Sequence, residues 1–141
     1  MVKVIFLCTG NSCRSQMAEG FTRAFGLGIL EAHSAGLMPS GVNPKAIKVM
    51  KEAGVDISGQ KSKGIDAALL EAMDIVITLC GHAEEMCPVT PPHIRRLHWP
   101  VNDPVGATGS ETEILSVFRK TRDDIRKLVE ELVRGLKREV L

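Results

Sequence analysis

Apolar residues fall in short runs separated by polar turns. Val2 to Leu7 reads as an apolar run, the pattern of a parallel strand covered on both faces. A polar turn, Cys8-Thr9-Gly10-Asn11-Ser12, follows. Met17, Ala18, Phe21 and Phe25 then recur at helical spacing, and the helix they predict ends near Gly26. Ile29 to Ala35 predicts a second strand. Asn43-Pro44, a cap followed by a first-turn proline, opens a helix that stops at Gly54. Asp66 to Ala72 reads as a short helix, Ile75 to Leu79 as a buried strand, and Ile94 to Trp99 as the last strand. From Glu111 onward, Ile114, Phe118, Ile125, Leu128, Leu132 and Leu136 mark one face of a long closing helix. Asp123 with Lys127, and Glu130 with Arg134, are spaced to pair across its wet face.

Strands alternating with helices imply an α/β fold, an open parallel sheet with helices on both faces. Residues 1–141 suit a single domain with one packed core. In such sheets ligands bind beyond the C-terminal ends of the strands. Cys8 and Cys80 each end a predicted strand and so belong at that rim. Met17, Met50 and Met73 occupy apolar helical positions and are expected in the core.

Charge narrows the function classes. Lys and Arg number 18 against 17 Asp and Glu, so the net charge of +1 draws neither nucleic acid nor anionic lipid. The first apolar run is too short for a signal peptide or a membrane span, and a cytoplasmic monomer is expected. Four cysteines in such a chain point to catalysis or metal binding before structural disulfides.

The segment Cys8-Thr9-Gly10-Asn11-Ser12-Cys13-Arg14-Ser15 lies between a strand and a helix, where successive backbone N–H groups can converge on an anion. Gly10 permits the tight backbone of a cradle. Arg14 can grip a tetrahedral oxyanion with two parallel donors. The same positive surroundings favour a thiolate nucleophile at Cys8, to which Ser15 can donate. Thr9, Gly10, Asn11, Ser12, Cys13, Arg14 and Ser15 thus form a candidate oxyanion-binding loop. Cys13 suits a small packed residue on the first helical turn better than a catalytic thiol.

A cysteine, five residues, Arg and Ser directly after the first strand resembles the signature of the low-molecular-weight protein tyrosine phosphatase fold. The resemblance implies four parallel strands in the order 2-1-3-4. That fold carries an Asp-Pro loop late in the chain, matched here by Trp99-Pro100-Val101-Asn102-Asp103-Pro104. By position Asp103 would be the general acid. Thr78-Leu79-Cys80-Gly81-His82-Ala83-Glu84-Glu85-Met86-Cys87-Pro88 is similar to the redox segment of thioredoxin-coupled arsenate reductases, which share this fold. The resemblance covers nearly the whole chain, including Asn11 to Gly20 and His98-Trp99.

It implies a three-cysteine relay with no cofactor and no resident metal. Arsenate enters the loop and reacts with Cys8, with help from Asp103. Cys80 then attacks Cys8, giving arsenite and a Cys8–Cys80 intermediate. Cys87 attacks Cys80, and thioredoxin reduces the final Cys80–Cys87 disulfide. Gly81 and Pro88 flank a segment that must partly unfold to carry sulfur outward.

Other readings stay open on the residues. The three-residue set Cys8, Arg14 and Asp103 suffices for a phosphatase working through phosphocysteine, and residual phosphatase activity is compatible with the relay. Two thiols on such an enzyme would also serve as a redox switch, and a non-enzymatic sensor would need no Asp103. Against a phosphotyrosine pocket, Val105-Gly106-Ala107 put no aromatic beside Asp103-Pro104, and Gln16 stands where the phosphatases often carry proline. Cys80, His82, Cys87 and His93 lack the two-to-four-residue spacing of zinc ligand pairs. His82, His93 and His98 have no evident partner.

Some thioredoxin-coupled reductases hold potassium beside the loop through an Asn, a Ser and two acidic residues. Asn11, Glu19 and Ser34 match three of these positions, whereas the fourth, acidic in that group, is Lys63 here. Its ammonium is expected to take the ion's place, donating to Asn11, Ser34 or Glu19.

Overall fold

The computed structural model describes residues 1–140. Four strands, β1 (Val2–Cys8), β2 (Leu30–Gly36), β3 (Ile75–Thr78) and β4 (Arg95–His98), form one parallel sheet in the order β2-β1-β3-β4. Five helices surround it: α1 (Arg14–Phe25), α2 (Pro44–Glu52), α3 (Ala67–Glu71), α4 (Gly81–Met86) and α5 (Glu111–Val140). The strand order is the one that the resemblance implied.

The central strand shows why β1 is apolar nearly throughout. Val4 and Phe6 point into a core shared with α1, α2 and α5, whereas Ile5 and Leu7 point into a smaller core under α3 and α4. Both faces are covered along Val4 to Leu7, where every residue is fully buried. Met17, Met50 and Met73 are buried as expected. Strand β4, at the edge, has a half-exposed residue pattern. Asn43 caps α2 by accepting from the Lys45 N–H at 2.8 Å, with Pro44 in the first turn.

Three details depart from the pattern read along the chain. The buried stripe of α5 runs through Leu115, Phe118, Ile125, Val129, Val133 and Leu136, while Ile114 and Leu132 flank it half-buried. The expected Asp123–Lys127 and Glu130–Arg134 pairs are replaced by Arg122–Asp123 and Arg126–Glu130, both at 2.9 Å. Arg122 and Arg119 also reach Glu52, tying α5 to α2 and drawing that carboxyl down to about 2. Finally, the segment between Cys80 and Cys87, to which the pattern assigns no element, is wound into α4. Among the described residues no helix is long and apolar enough to cross a membrane.

Candidate active site

The loop between β1 and α1 is held from beneath by Asn11. This residue is fully buried and left-handed, with φ of 47°. Asparagine tolerates that region because its short polar side chain can bond locally. Here the side chain has more to do. Its Oδ1 accepts from the Lys63 N–H at 2.8 Å and from Gln16 Nε2 at 3.0 Å, and its Nδ2 donates to Ser15 Oγ at 2.8 Å. With a lone pair of Ser15 so occupied, the hydroxyl proton is free to point at Cys8 Sγ, 2.8 Å away. This chain of donors aims the Ser15 hydroxyl at the Cys8 sulfur and fixes its position at the floor of the loop.

Arg14 opens α1 and is 7% exposed. Its Nη1 donates to Val101 O at 2.9 Å and Leu79 O at 3.3 Å, which fixes the guanidinium between β3 and the Asp103 loop. Nη2 faces Asp103 Oδ2 at 3.5 Å. Asp103 itself caps a short 3₁₀ turn, Pro104–Gly106, by accepting from the Val105 N–H at 3.0 Å. One cleft is lined by Cys8, Thr9, Gly10, Ser12, Cys13 and Arg14 together with Asp103, and its mouth by the aliphatic Met38, Val42 and Val105. No aromatic ring lines it.

Of the other two thiols, Cys80 lies against the loop and Cys87 on the opposite face of the sheet. Extending the Leu7–Thr78 register sets Cys80 opposite Thr9, and Thr9 Oγ1 is 3.3 Å from Cys80 Sγ. Cys80 also caps α4, its sulfur accepting from the Ala83 N–H at 3.3 Å. Cys87 ends α4 and is buried in the smaller core, and burial pushes its thiol up. All four cysteines are free thiols. Cys13, buried in the larger core, is pushed up to about 12 by desolvation, so it stays protonated at neutral pH. Among the described residues no group of three or more His, Cys, Asp or Glu side chains is placed to hold a metal.

Behind the loop, Glu19 is 1% exposed and accepts from Ser34 Oγ at 2.8 Å. Arg23 stands 3.2 Å and the Lys63 ammonium 3.7 Å from its carboxylate. Lys63 therefore meets Glu19 through its ammonium but Asn11 through its backbone N–H, and the ammonium donates to Lys61 O rather than to Ser34. The residues present do not fit a potassium ion, because two cations already surround the one buried carboxylate.

Several residues here make contacts that the sequence does not announce. Gly36, the last residue of β2, lies against the loop: a methyl group there would sit 2.6 Å from Asn11 N and 2.7 Å from Thr9 O. Gln16 bonds the loop to Lys61 O at 2.9 Å and accepts from Gln60 at 2.8 Å. His98, expected to lack a partner, has its Nδ1 2.8 Å from Thr78 Oγ1 and 4.0 Å from Glu84.

A parallel sheet whose first strand feeds a Cys-x5-Arg-Ser anion loop, faced by an Asp-Pro turn, defines an enzyme of the cysteine-dependent phosphatase type. The family model for low-molecular-weight phosphotyrosine protein phosphatases matches residues 3–141, and the chain belongs to that family. Within it, the chain is 51% identical over 126 residues to an arsenate reductase of Halalkalibacterium halodurans, covering 89% of this chain and 91% of that one. A solved arsenate reductase in the phosphate binding state superposes with a TM-score of 0.78 at 41% identity, over 96% of this chain and 99% of that one. A thioredoxin-dependent arsenate reductase of Corynebacterium glutamicum gives 0.80 at 25% identity, covering 99% of this chain and 63% of that one.

The close approach at Gly36 generates a direct test of how the cradle is held. Gly36→Ala should push the loop off its position, cost about 1–3 kcal/mol of stability, and weaken phosphate binding. Thermal melting and phosphate titration calorimetry would check this. Unchanged values in both would mean that the loop does not depend on that contact.

Proposed function

We propose that the chain reduces arsenate to arsenite through Cys8, Cys80 and Cys87 in turn, with thioredoxin as the electron donor. The observation that carries this reading is a series of three free thiols leading away from one anion loop: the first in the cradle, the second at its rim, the third at the far end of α4. Similarity to arsenate reductases, one of them thioredoxin-dependent, supports it.

The Cys8 thiolate attacks arsenic(V), held by the loop N–H groups and Arg14, and one oxygen leaves as water with a proton from Asp103. Cys80, as thiolate, attacks Cys8 sulfur. The S–As bond breaks with its electron pair going to arsenic, so arsenite departs and Cys8–Cys80 forms. Cys87 then attacks Cys80 sulfur and expels the Cys8 thiolate. A thioredoxin dithiol returns Cys80 and Cys87 to the reduced state. Met86 and Val89, exposed beside Cys87, offer apolar surface for that encounter in a reducing cytoplasm.

Hydrolysis of phosphate monoesters is the second reading, favoured by the family match and by a loop that holds phosphate and arsenate alike. It needs only Cys8, Arg14 and Asp103. Arsenite release with thioredoxin, thioredoxin reductase and NADPH, run beside aryl-phosphate hydrolysis, separates the two. Cys8→Ser should abolish both activities. Cys80→Ser should stop arsenite release and spare any hydrolysis, while Cys87→Ser should stall after one turnover as Cys8–Cys80. Normal cycling of Cys87→Ser with thioredoxin would contradict the relay.

The Lys63 contact with Glu19 gives a second prediction. Melting curves and arsenate turnover in potassium and sodium salts at equal ionic strength should coincide. Lys63→Asp should introduce potassium stabilisation that grows with ion concentration. A specific potassium effect on the parent chain would show that the ammonium does not take the ion's place.

A further inference from the structure

A wound α4 and a Cys80–Cys87 disulfide are mutually exclusive. The two cysteines bracket the helix, which at a rise of about 1.5 Å per residue holds their Cα atoms about 10 Å apart. A disulfide accepts no more than about 7 Å. The third step of the relay therefore requires α4 to unwind. What keeps it wound beforehand is a short inventory. Six residues are too few for a stable helix by themselves. Only Ala83 within the helix and Cys87 at its end are buried in the core beneath, and His82, Glu85 and Met86 face outward.

The remaining tether is polar. Thr78 is fully buried at the end of β3, on an otherwise apolar strand. Its hydroxyl donates to the Glu84 carboxylate on α4. His98 Nδ1, on β4, lies 2.8 Å from the same oxygen and can donate into its free lone pair. The hydroxyl proton has no better acceptor, since Leu97 O is 3.4 Å away. Three elements thus meet at one threonine.

We propose, resting on the relay reading, that Thr78, Glu84 and His98 form a latch that holds α4 wound in the reduced chain and so governs when Cys87 can reach Cys80. Glu84 is a positioning residue: it touches no reacting atom and acts through the helix that carries Cys87. The latch also keeps Cys87 covered, where burial disfavours its thiolate. Unwinding breaks the latch, exposes Cys87, and lets its thiolate attack Cys80 sulfur with loss of Cys8 as the leaving thiolate. Because the latch exists only in the reduced state, its free energy opposes formation of the disulfide.

The test compares the parent with Glu84→Ala, Thr78→Val and Glu84→Gln, each in the full chain and in both redox states. Peptide mapping of the oxidised parent should find Cys80 joined to Cys87. Glu84→Ala and Thr78→Val should lower the melting temperature of the reduced protein and leave the oxidised protein unchanged. In glutathione redox buffers they should shift the dithiol–disulfide equilibrium about tenfold towards the disulfide, or about 30 mV. Glu84→Gln, whose amide oxygen still accepts from Thr78, should retain most of the parent's behaviour, and it keeps the idea testable if Thr78→Val does not fold. Equal losses in both redox states, or no shift in the equilibrium for Glu84→Ala, would overturn the latch and leave the relay standing. Absence of the Cys80–Cys87 disulfide in the oxidised parent would overturn both.

Discussion

The sheet stands between Cys8 and Cys87. Cys8 packs into the core under α1 and α5, and Cys87 into the core under α3 and α4. Two thiols on opposite faces of a covered sheet cannot exchange directly. Cys80 packs partly against both cores, because it lies just past the end of β3 at the rim where the two faces meet. In the proposed relay, a third thiol at this position lets oxidising equivalents formed in the anion loop cross to the other side. On that proposal the C-terminal rim of the parallel sheet serves twice, as the place where the oxyanion binds and as the passage round the sheet edge.

Within the loop the same residue type meets different surroundings. Cys8 faces a serine hydroxyl whose orientation is set by Asn11. Cys13, five residues later, meets mainly apolar neighbours and is held protonated by burial. One loop therefore carries two cysteines with different partners, a hydroxyl for Cys8 and an apolar core for Cys13. Asn11 accounts for much of this difference. Its left-handed backbone turns the loop, and its side chain links Ser15, Gln16 and the Lys63 backbone in one buried network.

Much of the site was legible because its chemistry is local in sequence. The Cys8-to-Ser15 loop, the Asp103-Pro104 turn and the Cys80/Cys87 spacing each read within a dozen residues, and alternating strands and helices gave the sheet. What escaped notice is tertiary. Helix α4 has Gly81 at its start and six residues in all, so no periodicity announces it; packing on the sheet and the Glu84 contact make it a helix. His98 and Thr78 are ordinary strand residues until β3 and β4 pair in register and set them side by side. Gly36 matters because a neighbouring loop approaches within a methyl group's width, which a lone glycine at a strand end does not reveal. On α5 the apolar stripe was displaced because Ile114, Leu128 and Leu132 border the buried line. Asp123 was diverted from Lys127 by Arg122, an arginine that also serves Glu52 on α2.

The most direct measurement is a single turnover without any external reductant. Fully reduced protein mixed with excess arsenate should release one arsenite per chain, fall from four titratable thiols to two, and end with Cys80 joined to Cys87. No arsenite and four thiols intact would contradict the relay and leave a phosphatase.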